Sequence, residues 1–288
     1  KYQEGVDRAL EELGDQVEVV ATLHGDWLTD KAYDCTTDLI SSGEEFDYIF
    51  ANNDMMAQGC YQALEDNDMT DIILDCDPGH EDFFGLMLAL ANTDKVNIKA
   101  ISTTVAYQTV ENVQRNAMKA LTLLGRTDIP VAHGAVKPLV EPFGLADNWR
   151  EFTGLDGADF PEPGFAPSEL SGIELMAKTL READAPMVIA ISGPVTNVAL
   201  LLAAHSELHN KIEKIVLMGG AINTGNRYPG VEYNFSIDPE AAKIVVNSGV
   251  PVVMITRDLT EQGVITAETV AKMRAVDNPV AQVAADLM

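Results

Sequence analysis

Cysteine is scarce in this chain, with Cys35, Cys60 and Cys76 the only three in 288 residues. Three thiols cannot make a disulfide framework and their spacing is not that of a zinc site, so a reducing, cytoplasmic compartment is expected. Long apolar runs are lacking too. No stretch reaches eighteen residues, and no membrane-spanning helix is expected. Basic residues are few, 19 Lys and Arg against 45 Asp and Glu, for a net charge of −26. Such a chain repels phosphate backbones and anionic lipid, which argues against nucleic acid and membrane as partners. The same excess of acid also serves plain solubility in a salty cytoplasm. An initiator methionine is missing as well: the chain opens on Lys1 with no charged-then-apolar leader, and the true N-terminus is expected upstream.

What is present is enough apolar residue, 47%, for a sizeable core, and an uneven spread of acid. Residues 1–70 hold 17 acidic and 3 basic side chains, while the rest hold 28 and 16. With the polar run Glu65-Asp66-Asn67-Asp68, this shift predicts a boundary near Asn67–Asp71, giving segments 1–70 and 71–288. The first reads as a small α/β fragment. Val6, Ala9 and Leu10 form a helical stripe, Val17–Leu23 and Tyr48–Ala51 are strand-like, and Asn52-Asn53-Asp54 caps a further helix.

From Asp71 onward strands and helices alternate. Strands are predicted at Ile72–Leu74, Ile98–Thr104, Met187–Ile191, Ile215–Met218 and Val250–Ile255. Helices are predicted at Phe83–Ala91, Val110–Leu124, Gly172–Ala183, Asn197–Ala204 and Pro239–Asn247. The pattern implies an α/β fold, an open and mostly parallel sheet with helices on both faces, whose ligands bind at the carboxyl ends of the strands.

The first strand ends in Asp75-Cys76-Asp77-Pro78-Gly79-His80-Glu81-Asp82. Asp75 and Asp77 leave the strand on one side, Pro78-Gly79 turns the chain, and Glu81 and Asp82 open the next helix. Four carboxylates so close repel unless a cation lies among them, and an all-oxygen set favours calcium or magnesium over zinc. A capped turn on a solvated acidic face is the plainer reading of the same residues.

Two resemblances follow. Gly25-Asp26-Trp27 and Phe50–Gly59 look like part of one lobe of a ribose-type periplasmic sugar-binding protein, which implies sugar stacking by Trp27 and a sugar hydrogen bond from Asn53. The Asp75–Asp82 stretch resembles the N-terminal signature of nucleoside hydrolases. Further blocks in that family's order are Ser102–Val105, Ala132-His133-Gly134, Ser192–Asn197, Leu217–Gly220, Asn226, Glu232-Tyr233-Asn234 and Asp238–Ala242. The resemblance implies calcium-dependent cleavage of the N-glycosidic bond of ribonucleosides by water. It makes Asp77 the general base and a calcium ligand, with Asp82 and the Ser192 carbonyl as further ligands. It makes Glu81, Asn226, Glu232 and Asn234 ribose contacts and sets Met218 at the pocket wall, and it implies a dimer or tetramer. Loop capping is the alternative for Asn226, Glu232 and Asn234, and plain core the alternative for Met218. Asp75 is expected to brace the loop, and His80 to stand behind the ligands.

Several positions depart from that pattern. Glu81 stands where Asp is usual, Tyr107 where a ribose-contacting Asn is usual, and Arg150 where many members have His. The family's last calcium-binding Asp is expected beyond Met288, and no histidine here offers itself as leaving-group acid. A non-catalytic nucleoside- or ribose-binding protein is the main rival reading. An aspartate-nucleophile phosphatase fits Asp75-x-Asp77 but not the Gly79–Asp82 continuation.

Overall fold

The structure, a computed structural model, describes residues 2–288 apart from 43, 45, 47, 68, 69, 107 and 141–151. Tyr107 and Arg150 therefore lie outside the described residues. The chain divides into two compact units, Lys1–Met69 and Thr70–Met288.

The first unit contains helices α1 (Tyr2–Leu13), α2 (Thr29–Ser41) and α3 (Asp54–Asn67). Gly59 lets α3 approach α2 closely, since a Cβ there would run into the Thr29 carbonyl. The strands expected at 17–23 and 48–51 do not form among the described residues. Val17 is extended, but a strand also needs a neighbour for its amides and carbonyls, and β-propensity alone supplies none. Val19, Tyr48 and Phe50 remain exposed accordingly. In place of the expected α/β fragment, the regular elements among the described residues are helices joined by irregular segments. Asn53 accepts the Met56 amide (2.7 Å) in a capping contact at the start of α3, and its side-chain amide reaches only the Trp27 carbonyl (3.5 Å).

The second unit is built on a six-stranded, wholly parallel sheet in the order β3-β2-β1-β4-β5-β6. The strands are β1 (Thr70–Cys76), β2 (Val96–Thr103), β3 (Val131–His133), β4 (Met187–Ile191), β5 (Ile212–Met218) and β6 (Val252–Ile255). Helices α4 (His80–Ala91), α5 (Val110–Leu123), α6 (Gly172–Glu182), α7 (Thr196–Ala204) and α9 (Pro239–Val246) follow the expected periodic segments closely. Ser171 and Glu174 form a capping box that starts α6, and Asp238 caps α9 ahead of Pro239. Period-two alternation divides the core between the two faces. Ile73, Ile189 and Leu217 pack with Met176, Val198 and Val245 on one side. Ile72, Ile101 and Val188 pack with Phe83, Leu86 and Leu121 on the other. Each fully buried aliphatic side chain contributes about 1.5–3 kcal/mol, so both faces hold the strands in register. Strand β3, three residues long, was too short to be legible as a strand. The five-residue helix α8 (Tyr233–Ile237) is too short to show a full apolar repeat, and the C-terminal helices α10 (Arg257–Thr260), α11 (Ala267–Arg274) and α12 (Pro279–Asp286) are further elements that the sequence pattern does not mark.

Candidate active site

The strand order reverses between β1 and β4. Helix α4 leaves β1 for one face and α7 leaves β4 for the other, as their separate cores show, so a crevice opens at the two carboxyl ends. Asp75 and Asp77 arrive from β1, and Ser192 and Gly193 from β4. The Ser192 amide donates to the Asp75 carbonyl at 3.0 Å, fixing one turn against the other. Gly193 is needed there because a Cβ would collide with the Asp77 carboxylate and main chain. Asp82, in the first turn of α4, accepts a short hydrogen bond from the Ser192 hydroxyl. Asp77, Asp82 and Ser192 are thereby brought together, with both carboxylates buried.

Burial drives the Asp82 carboxyl up from 3.8 to about 7, opposed by the Ser192 hydrogen bond and helped by the charge of Glu81. Glu81 itself is exposed on the first turn of α4. His80 points elsewhere, its Nε2 donating to the Asp156 carbonyl at 3.0 Å.

Asp75 is turned inward. Its Oδ1 accepts from Asn197 Nδ2 (2.8 Å), and burial raises its carboxyl to about 7. Asn197 is fully buried in α7. Its Nδ2 also reaches Ser102 Oγ (3.0 Å) and the Thr103 carbonyl (3.2 Å), while its Oδ1 accepts the Ala135 amide (2.7 Å). One side chain therefore ties together the ends of β1 and β2, the segment after β3, and α7. In the sequence Asn197 stands out only as part of a family block and a helix start. A polar residue on the buried side of the otherwise apolar run Val198–Ala204 was the available signal.

The third wall comes from β5 and the segment after it. Asn234 Nδ2 donates to the Ser192 carbonyl (2.8 Å) and to the Met218 carbonyl (3.1 Å), joining this wall to the acidic turn. Buried Glu232 caps α8, its Oε1 accepting the Asn234 amide (2.8 Å) and its Oε2 the Phe235 (3.1 Å) and Gly220 (3.0 Å) amides. Asn226 is exposed and accepts the Tyr233 amide at 2.7 Å. Met218 is half-buried at the end of β5. Glu232, Asn234 and Met218 thus share one hydrogen-bonded wall with Ser192, and Asn226 joins it through Tyr233. Glu232 and Asn226 cap backbone amides here; for Glu232 a carboxylate's four lone-pair sites leave room for a ligand hydroxyl as well.

The donor set suits a hard cation. Asp77, Asp82 and the Ser192 carbonyl are all oxygen, and that carbonyl keeps a second lone pair beyond Asn234. A buried carboxyl raised to about 7 is also the electrostatic deficit that a divalent cation would relieve. Among the described residues, no three Asp, Glu, His or Cys side chains gather around one point. Water, substrate hydroxyls and other oxygens would therefore fill much of the roughly six to eight positions calcium prefers.

Comparison with known proteins bears on the fold and the family. The family described as inosine-uridine preferring nucleoside hydrolase matches residues 72–288. A periplasmic binding protein domain matches residues 1–127, overlapping the first match. The pyrimidine-specific ribonucleoside hydrolase RihA of Escherichia coli O127:H6 is 52% identical over 217 residues, covering 75% of this chain and 70% of the relative. Among solved structures, the purine-preferring ribonucleoside hydrolase of Gardnerella vaginalis superposes with a TM-score of 0.71 at 28% identity, over 76% of this chain and 70% of the other. The plant nucleoside hydrolase PpNRh1 gives 0.70 at 26% identity, over 76% and 69%.

Proposed function

The chain belongs to the inosine-uridine preferring nucleoside hydrolase family, and from that premise we propose that its crevice uses calcium to hydrolyse pyrimidine ribonucleosides to free base and ribose. The observation that carries this reading is the convergence of Asp77 and Asp82 on the Ser192–Gly193 turn where the strand order reverses. Pyrimidine preference is supported by 52% identity to a pyrimidine-specific relative, against 28% to a purine-preferring one.

Asp77, Asp82 and the Ser192 carbonyl would hold the ion. Bound there, calcium supplies positive charge that orients water and makes it easier to deprotonate. Asp77 takes the proton from the attacking water at its carboxylate. Glu81 faces the ribose 2′-hydroxyl, and Asn226, Glu232 and Asn234 hold the remaining hydroxyls against the Met218 wall. N-glycosidic cleavage passes through an oxocarbenium-like sugar, and the carboxylates around the ring stabilise that charge. Asn234 binds both the Ser192 carbonyl and the β5 end, so it sets the sugar wall relative to the ion. The reading carries a cytoplasmic enzyme, in keeping with three free cysteines, and an assembly of two or four copies, which light scattering would measure. No helix among the described residues is long and apolar enough to cross a membrane.

The test is turnover of uridine, cytidine and inosine with saturating calcium and again with chelator. Uridine kcat/KM is expected to exceed that of inosine by at least about tenfold, and chelator to abolish both. Turnover untouched by chelator would remove calcium from the mechanism, and a preference for inosine would reverse the substrate assignment.

Calcium affinity should also depend on pH with a defined sign. The ion competes with a proton for Asp82, whose carboxyl titrates at about 7. Affinity is therefore expected to rise as pH increases through 7 and level off above it, as read by calorimetry at pH 5.5, 7 and 8.5. A flat profile would show that no proton on Asp82 competes with the ion in this range.

A further inference from the structure

The segment between β5 and α8 carries the proposed sugar contacts, yet it is an irregular stretch of main chain. Two amides in it, those of Ile222 and Asn223, donate to one carboxylate, Asp258, at 2.7 and 3.0 Å. Beside them the Arg257 amide donates to the Gly220 carbonyl at 2.9 Å. Helix α10, which begins just after β6, thus clamps the Gly220–Asn223 stretch from one side by three hydrogen bonds. From the other side the Gly220 amide donates to Glu232 Oε2. Gly220 has φ +72°, a left-handed backbone that favours glycine, and its Cβ position faces Met254 and Phe235. The turn is therefore held between two carboxylates through amides on neighbouring residues. The Ile222 amide is the chief reason the Asp258 carboxyl is drawn down from 3.8 to about 2, with burial opposing it and Asn223 assisting.

We propose that Asp258 is a positioning residue for this site: by holding the Ile222 and Asn223 amides it fixes the Gly220 turn, and through Gly220 it sets the carboxylate of Glu232. Asp258 touches no substrate atom in this account. The proposal rests on the sugar-binding role of Glu232 given above, because only then does the turn's placement reach the substrate. Loss of the clamp loosens a contact made with bound nucleoside before and during reaction, so it weakens binding more than it slows the chemical step.

The test compares the whole chain with its Asp258→Asn, Glu232→Gln and double variants, each checked for folding by circular dichroism. Asn keeps one acceptor oxygen and turns an NH2 toward an amide that can only donate. For Asp258→Asn, KM for uridine is expected to rise about tenfold while kcat changes less than about threefold. The double variant should be little worse than Glu232→Gln alone, because both changes act on one contact. Amide hydrogen exchange at Ile222 and Asn223 should quicken. An unchanged KM, fully multiplicative losses in the double variant, or unchanged exchange at those two amides would each overturn the proposal. If the parent protein turned over no nucleoside, the hydrolase reading would fall on its own. Exchange at Ile222 and Asn223, with uridine binding by calorimetry, would then still decide whether Asp258 sets the turn.

Discussion

Replacing Asp77 with Asn is expected to lower kcat for uridine by about a thousandfold or more and to weaken calcium binding by about tenfold or more. The side chain is asked for two things at once, a ligand charge and a place for the water's proton. Positioned general bases contribute about 10²–10⁴ in rate, and hard-ion affinity follows the number of charged oxygens. Asn keeps the shape of Asp against Gly193, which has no room for a Cβ beside that carboxylate, so the loss reports chemistry rather than packing. Calorimetry and initial rates on both proteins check it. A variant that bound calcium as the parent does would show that Asp77 is not a ligand. One that kept most of its turnover would show that it is not the base.

Replacing Asn197 with Ala is expected to destabilise the protein by about 3 kcal/mol or more. Its side chain joins Asp75, Ser102, Thr103 and Ala135, each 62 or more residues away from it in sequence. Removing it leaves the fully buried Asp75 with the Ser102 hydroxyl but no amide donor, and the half-buried Ala135 amide without its acceptor; a group left short of partners in this way costs about 1–3 kcal/mol. Urea denaturation followed by circular dichroism measures this. A midpoint shift worth less than about 1 kcal/mol would mean that water replaces the amide at no great cost and that Asn197 is not the tie described.

Much of this was legible in the sequence because it follows from local rules. Apolar runs of strand length alternating with 3.6-periodic segments located five of the six strands and the helices between them. The Asp75–Asp82 spacing placed four carboxylates at one strand-to-helix turn without knowledge of any partner. What stayed hidden depends on who meets whom. Val17–Leu23 and Tyr48–Ala51 have strand composition, but a ladder needs a second strand, and no property of those residues reveals that none is paired with them. Glu232 could be singled out from its family block as a candidate sugar ligand, but not as the residue that caps α8 and holds Gly220. Asn197 and Asp258 bind groups 122 and 36 residues away, separations at which sequence spacing says nothing.

The reversal of strand order also decides when, during folding, the proposed cation site would come into being. Strand β1 meets β2 after a short excursion, Thr70 pairing with Val96. The contact between Ser192 and Asp82 closes a span of 110 residues. Closing so long a span costs entropy that grows with the logarithm of its length, and parallel pairings of this kind form slowly. Until β4 docks, Asp77 and Asp82 stand on a turn whose opposing wall has not arrived, free to hydrate and repel each other. On the calcium proposal, metal capture would follow tertiary assembly rather than seed it, and a bound ion would lend its free energy to the finished fold by slowing escape from it.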